Sequence, residues 1–258
     1  CGLQSGMTIS FHHSFREGDL VVGQVMAAIR ELGIHDLRFA PSAVVNLSNF
    51  SLAEYVRDGT ITRIEASGIR GELGDSLIDG SIRMEEPAIL RPHGARPRAI
   101  EMGELAIDVA FIAVSASDEY GNSTGQIGTN ICGSLSYSFI DARSARKVVV
   151  ITDTLVDYPC CPASISQQYV DYVVKAEKLD NIALAYNPGM IGDVRVPTEG
   201  RMKPMPLTYK KIISRRAALE LKKDYLVNLG IGIPDGVGNI ANEEGISDQI
   251  TLSLETGV

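Results

Sequence analysis

Short apolar runs alternate with amphipathic segments along most of the chain. "MTISF" (7–11), "LRFAP" (37–41), "ITRIEAS" (61–67), "AILRP" (88–92), "IDVAFIAVS" (107–115), "KVVVITDT" (147–154) and "YVVKAE" (172–177) are rich in β-branched and apolar residues and read as strands. Several are nearly continuous hydrophobic runs, the pattern of strands covered on both faces, as in a parallel sheet flanked by helices. Between them, "DLVVGQVMAAIRELG" (19–33) predicts a helix opened by Asp19 and stopped at Gly33. "SLAEYVRDG" (51–59) and "GELGDSLIDG" (71–80) predict shorter helices. The pattern predicts an α/β fold.

The periodicity lapses twice. Residues 117–139, rich in Gly, Asn, Ser and Thr, hold a turn at "DEYGN" and are too long for a tight connection. They are either a functional loop or a surface excursion. Residues 187–206, "NPGMIGDVRVPTEGRMKPMP", hold four Pro and three Gly and suit a linker or exposed crossover. Alternation then restarts, with a basic-faced helix (209–222), strand and loop (225–234), a helix from Asp235 to Gly245, and a strand (249–255). The expected organisation is an N-terminal α/β domain (1–190), a linker (191–206) and the start of a second α/β domain (207–258). Two strands in roughly 55 residues bury too little apolar surface to stand alone. The second domain is therefore expected to be incomplete, and the chain cut short at its C-terminus.

Composition narrows the function classes. Of 258 residues, 45% are hydrophobic and 22% charged, which suits a globular protein with a core. The formal charge of −8 argues against a nucleic-acid partner, while leaving room for a small anion in a local basic cleft. No run approaches the length of a membrane span, so no membrane partner is expected. The opening "CGLQSGMTISFHH" has neither the charged nor the apolar region of a secretory signal, and it lacks an initiator Met. The four cysteines, Cys1, Cys132, Cys160 and Cys161, have no metal-like spacing, and reduced thiols in the cytoplasm are the simplest reading.

Five stretches offer chemistry. In "NLGIGIPDGVGNIA", Gly230 and Gly232 join a strand to a helix, forming an anion cradle or merely a tight turn. Glu255 ends the last strand, where a carboxylate serves as nucleophile, base or metal ligand, or is simply solvated. A nucleophilic Glu needs no activating base, because it is ionised at pH 7. His12, His13 and Arg16 follow the first strand; adjacent histidines on extended backbone point apart, which disfavours chelation by both. "RPHGARPR" gathers Arg91, His93, Arg96 and Arg98, either to meet phosphates or as a solvated basic loop. "ASGIRGELG" places Ser67 and Gly68 at a strand-to-helix turn that could donate backbone N–H groups.

With these residues in view, the tail (213–258) resembles the family I CoA-transferases. "NLGIGIP", "EEGI" and the E-x-G signature at Glu255, Thr256 and Gly257 fall in order. Upstream, "LQSGMTISFHHSFREGDLVVGQVM", "CGSLSY" and "YPCCPASISQQYVDYVV" are similar to the citrate lyase alpha subunit, over roughly residues 2–180. The resemblance implies a doubly wound, mostly parallel sheet, and an exchange of CoA between an acyl-CoA and a short-chain carboxylate. Glu255 would be the covalent nucleophile, forming an acyl anhydride and then a glutamyl-CoA thioester. Gly230, Gly232 and Gly257 would shape the CoA site. Ser67 and Gly68 stand where glutamyl-type transferases carry Gln-Gly at the oxyanion. The citrate lyase branch implies instead a citrate-directed acyl-carrier transfer, and a non-catalytic CoA- or anion-binding subunit is a further alternative on the same fold. No permanent cofactor or metal is implied, since the CoA thioester is a substrate. A homo-oligomer or a complex with a second subunit is implied. The transferases' Gly-Gly segment after E-x-G lies beyond Val258, so the isolated chain is expected to be inactive.

Overall fold

A computed structural model describes residues 1–12, 15, 19–44, 50–133, 135–179, 203–230 and 232–254. The chain divides into two compact units, Cys1–Tyr186 and Asn187–Val258. No helix among the described residues is long and apolar enough to cross a membrane.

The first unit is built on β1 (Thr8–Phe11), β2 (Leu37–Phe39), β3 (Ile61–Ala66), β4 (Ile89–Leu90), β5 (Val109–Ala113), a small hairpin of β6 (Ala116–Ser117) and β7 (Ser123–Thr124), β8 (Lys147–Thr152) and β9 (Tyr172–Lys175). Seven of these form one sheet in the order β4-β3-β2-β1-β5-β8-β9. Every pairing in it is parallel. Its helices are α1 (Val21–Glu31), α2 (Leu52–Arg57), α3 (Gly71–Ile78), α4 (Ala95–Glu101) and α5 (Ser136–Ser144).

The strands are apolar on both sides because both sides are covered. In β5, Val109, Phe111 and Ala113 join a core with Val22, Met26 and Ile29 of α1, Leu52 of α2 and Leu73 of α3. Ala110, Ile112 and Val114 face the other way, with Ala99 and Ile100 of α4 and Ala142 of α5. Burying each large apolar side chain contributes about 1.5–3 kcal/mol. The sheet is thus wound on both faces. Its winding reverses at β1, with β2, β3 and β4 stepping to one side and β5, β8 and β9 to the other.

Helix α1 shows how local sequence sets its ends. Asp19 Oδ1 accepts from the N–H groups of Val21 (2.7 Å) and Val22 (3.3 Å). At the far end Gly33, at φ +68°, donates to the Arg30 carbonyl while Ile34 donates to Ile29. That is a Schellman closure, which favours glycine at the left-handed position.

Two helices escape hydrophobic periodicity. α4 (ARPRAIE) lies inside the "RPHGARPR" stretch and contains Pro97. That Pro is tolerated because it stands in the first turn, where the N–H has no intrahelical acceptor. α5 opens within the loop expected over 117–139. Its buried positions are Ser138, Asp141 and Ala142, so its inward face is mostly polar.

The second unit contains α6 (Tyr209–Ala218), β10 (Leu226–Leu229), α7 (Asp235–Glu243) and β11 (Thr251–Leu254). β10 and β11 pair in parallel from Leu226↔Thr251 to Leu229↔Leu254. Helices α6 and α7 pack closely at Gly236, where a Cβ would stand 2.2 Å from the Ser214 hydroxyl. Ser214 is fully buried and donates to the Ile233 carbonyl at 3.2 Å.

Candidate active-site elements

In the first unit the turn after β3 is laced to the segment after β2. Ser67 donates both its N–H (3.2 Å) and its hydroxyl to the Ser42 carbonyl. The Val44 N–H donates to the Gly68 carbonyl at 2.8 Å, and the Arg70 N–H to the Val44 carbonyl at 3.0 Å. Both donors of Ser67 are therefore committed inside the protein. The Gly68 N–H has no acceptor among the described residues, and a Cβ at Gly68 would meet nothing within 4 Å. Ser67 braces the turn.

In the second unit the glycines of "NLGIGIP" differ in kind. Gly232 sits at φ +104°, a backbone region that side chains rarely adopt, and its N–H donates to Asp235 Oδ2 at 3.1 Å. Gly230 is not left-handed, and the nearest atom to its would-be Cβ is Pro234 Cγ at 3.9 Å. Asp235 opens α7, so the positive end of that helix already carries a carboxylate of the chain itself. Glu255 and Gly257 lie outside the described residues, as do His13 and Arg16. What is described is that β11 ends at Leu254, paired with Leu229 at the end of β10.

The "RPHGARPR" arginines are neither phosphate-facing as a set nor a solvated loop. Arg96 is buried beneath α4 and meets Asp141 and the Ala40 carbonyl. Arg91 bonds Glu65 and Glu104. Arg98 is exposed. The remaining member, His93, packs edge-on against the Tyr137 ring with centroids 5.8 Å apart, and His12 leans on the same ring at 5.7 Å. Tyr137 has no distinguishing sequence signal, because only the fold brings residues 12, 93 and 137 together.

The stretch after β6 is organised by a carboxylate. Asp118 is fully buried and accepts from the N–H groups of Tyr120, Gly121, Asn122 and Cys160 and from the Asn122 amide. Burial pushes its pKa up, but the bonds from Cys160 and Asn122 outweigh this and hold it below the usual carboxylate range. Burial, followed by the Asp118 charge, pushes the Cys160 thiol up, away from the reactive thiolate. All four cysteines are free thiols. Among the described residues no group of three or more His, Cys, Asp or Glu is placed to hold a metal ion.

The profile of the family "Citrate lyase, alpha subunit (CitF)" matches residues 1–200. The citrate lyase alpha chain of Klebsiella pneumoniae is 39% identical over 254 residues, covering 98% of this chain and 46% of that protein. The acetate CoA-transferase YdiF of Escherichia coli O157:H7 is 45% identical over 158 residues, 59% of this chain and 30% of that protein. Among solved structures, one described as the alpha subunit of citrate lyase from Streptococcus mutans, in complex with citrate, matches with a TM-score of 0.81 at 37% identity. That match covers 98% of this chain and 48% of the solved one. The chain spans about half the length of the curated citrate lyase relatives it matches at full coverage.

Proposed function

The chain belongs to the citrate lyase alpha-subunit family, and from that premise we propose that it serves a transferase exchanging CoA, or an acyl-carrier thiol, between an acyl thioester and a free carboxylate. Glu255 is the nucleophile in this reading. Its carboxylate adds to the thioester carbonyl and the thiolate leaves, giving an acyl-glutamyl anhydride. The thiolate then attacks the glutamyl carbonyl, releasing the first carboxylate and leaving a glutamyl thioester. The incoming carboxylate takes the thiol by the same steps in reverse. Each step passes through an oxyanion, and one well-placed donor to such an atom is worth about 10²–10³ in rate.

The observation that carries the reading is the order of elements in the second unit. A strand ends at Leu229, Gly232 makes a turn that favours glycine, and a parallel strand ends level with Leu229 at Leu254. The E-x-G signature starts at the next residue of the sequence. In α/β sheets such strand ends face ligands. Gly68, Gly230 and Gly257 are proposed as further substrate-binding positions, with Ser67 positioning Gly68. Acyl-CoA and a small carboxylate are the proposed partners, within a homo-oligomer or beside a second subunit.

The test is trapping. The protein, extended past Val258 to the length of its citrate lyase relatives, is incubated with acetyl-CoA, reduced with borohydride and searched by mass spectrometry for modification at Glu255. An adduct is expected, with transfer lost in Glu255→Gln. The family match favours a second reading, transfer to citrate without a covalent glutamate; it predicts no adduct and a Glu255→Gln variant that still uses citrate. Binding of CoA with no exchange at all would instead mark a non-catalytic subunit.

A further inference from the structure

We infer that the outer face of α6 docks on a second copy of this chain, against the segment that leads into that copy's β4, and that the contact made twice gives a two-fold dimer. This deepens the homo-oligomer part of the reading above by naming its contact, and it does not depend on the covalent chemistry.

The first argument is the way α6 is turned. Ser214 and Ala218, one helical turn apart, are its buried positions, and Ala218 packs with Val237 and Ile240 of α7. Both are small. The large apolar residues point the other way. Tyr209, Ile212, Ile213 and, just past the helix, Leu219 are exposed, Ile212 by 61% and Leu219 by 72%. A surface helix ordinarily turns its larger apolar stripe toward a core. An exposed apolar face with a polar rim marks an interaction site.

Charge sets the kind of partner. Residues 209–223 hold six Lys and Arg against one acid, Glu220. Lys211, Arg215 and Arg216 are paired with Glu243, Glu244 and Glu220. Lys210, Lys222 and Lys223 are exposed and make no ion pair among the described residues. Two α6 helices face to face would bring like charges together, whereas an acidic surface is complementary. The chain itself carries one. Its first unit has 15 Lys and Arg against 23 Asp and Glu, while the second has nine against nine.

The edge of the first unit's sheet locates the contact. β4 pairs with β3 on one side and with no strand on the other among the described residues. Its two residues, Ile89 and Leu90, are exposed, Leu90 by 62%. The run from the end of α3 into β4, "IDGSIRMEEPAIL" (78–90), opens on the exposed Ile78 and carries Asp79, Glu85 and Glu86 against one cation, Arg83. Proteins commonly cover a bare strand edge with a helix. α6 supplies apolar residues for Ile89 and Leu90 and lysines for the acids before them. The opposite edge, β9, suits it less, because Lys147, Lys175 and Lys178 outnumber Asp171 and Glu177 there. A two-fold axis gives each copy both halves of the contact and closes the assembly at two chains.

The experiment is sedimentation of the full 258-residue chain, which should be a dimer. Ile212→Glu and Leu90→Glu alter exposed side chains and should leave the circular dichroism unchanged. Each should weaken the dimer about a hundredfold, because a tenfold loss at one contact counts twice. Lys210→Glu with Lys223→Glu should weaken it, as should Glu85→Lys with Glu86→Lys, and all four changes in one chain should restore it. A monomer overturns the inference. So does a dimer unmoved by the α6 changes, or one that responds to them but not to changes at residues 85, 86 and 90, which would mark α6 pairing with itself. A dimer that vanishes when the chain is extended past Val258 would assign the α6 face to the added segment and also overturn it. A Glu255 adduct on a monomeric protein sinks this inference alone, and a dimer without an adduct sinks only the covalent step.

Discussion

Arg96 holds Asp141 by two parallel hydrogen bonds, Nη1 to Oδ1 at 2.8 Å and Nη2 to Oδ2 at 2.9 Å, with both side chains at most 2% exposed. Ser10 of β1 adds a third bond to Asp141 at 3.0 Å, and Arg96 also reaches the Ala40 carbonyl beyond β2. The pair therefore ties α4 and α5 to the strands where the sheet reverses. Removing one charge leaves the other buried and uncompensated, which typically costs about 3–5 kcal/mol. Asp141→Asn should lose about that much stability in denaturant unfolding. Arg96→Met combined with Asp141→Leu should lose less than the sum of the two single losses, because no orphaned charge remains. Strict additivity would show that the pair does not act as a unit.

Asp118 predicts an acid-sensitive contribution. Its carboxyl titrates lower in the folded chain than in the unfolded one, where about 3.9 is usual. The stabilisation is thus present above that value and is lost as pH falls through the folded value. Asp118→Asn should cost about 2–3 kcal/mol at pH 7, since an amide NH₂ would meet N–H donors. The gap between variant and parent should narrow below about pH 4. Chemical denaturation at pH 7 and pH 3.5 checks it, and a constant gap would contradict the assignment.

Gly236 makes the α6–α7 packing possible. Alanine ordinarily gains about 1 kcal/mol over glycine in a helix. Here its Cβ would lie 2.2 Å from Ser214 Oγ and 3.0 Å from Ser214 Cβ. Overpacking of this kind costs about 1–3 kcal/mol, so Gly236→Ala should be net destabilising. Faster amide exchange in α7 would report it. Adding Ser214→Ala, which deletes the nearer atom, should recover part of the loss.

The two glycines of the β10–α7 turn should respond differently. Gly232→Ala forces a side chain onto φ +104° and should cost about 1–3 kcal/mol, with transfer activity falling alongside. Gly230→Ala meets only an ordinary contact at 3.9 Å and should stay within about 0.5 kcal/mol of the parent. Thermal unfolding of both variants distinguishes them, and equal losses would show that the turn does not depend on its left-handed residue.

Strand identity was legible in the apolar runs because a doubly covered parallel sheet needs apolar side chains on both faces of each strand. The ends of α1 were legible because Asp19 and Gly33 act within a few residues of themselves. α5 was not legible, since its inward stripe of Ser138, Asp141 and Ala142 is mostly polar, and Asp141 is buried because Arg96 and Ser10 satisfy it. The same partnership removes Arg96 from the basic loop it resembled.

By itself the sequence determined the α/β class, the ends of the main helix, the glycine-rich turn at Gly230 and Gly232, and the E-x-G signature at Glu255. These are properties of neighbours along the chain. The tertiary structure alone decided how the polar groups pair. Ser67 and Gly68 are adjacent and looked equivalent, yet both donors of Ser67 go to the Ser42 carbonyl, while the Gly68 amide has no acceptor among the described residues. It also brought His12, His93 and Tyr137 together from three separate connections. Hydrogen bonds and ring contacts between distant segments exist only once the sheet has set their spacing, so no local pattern records them.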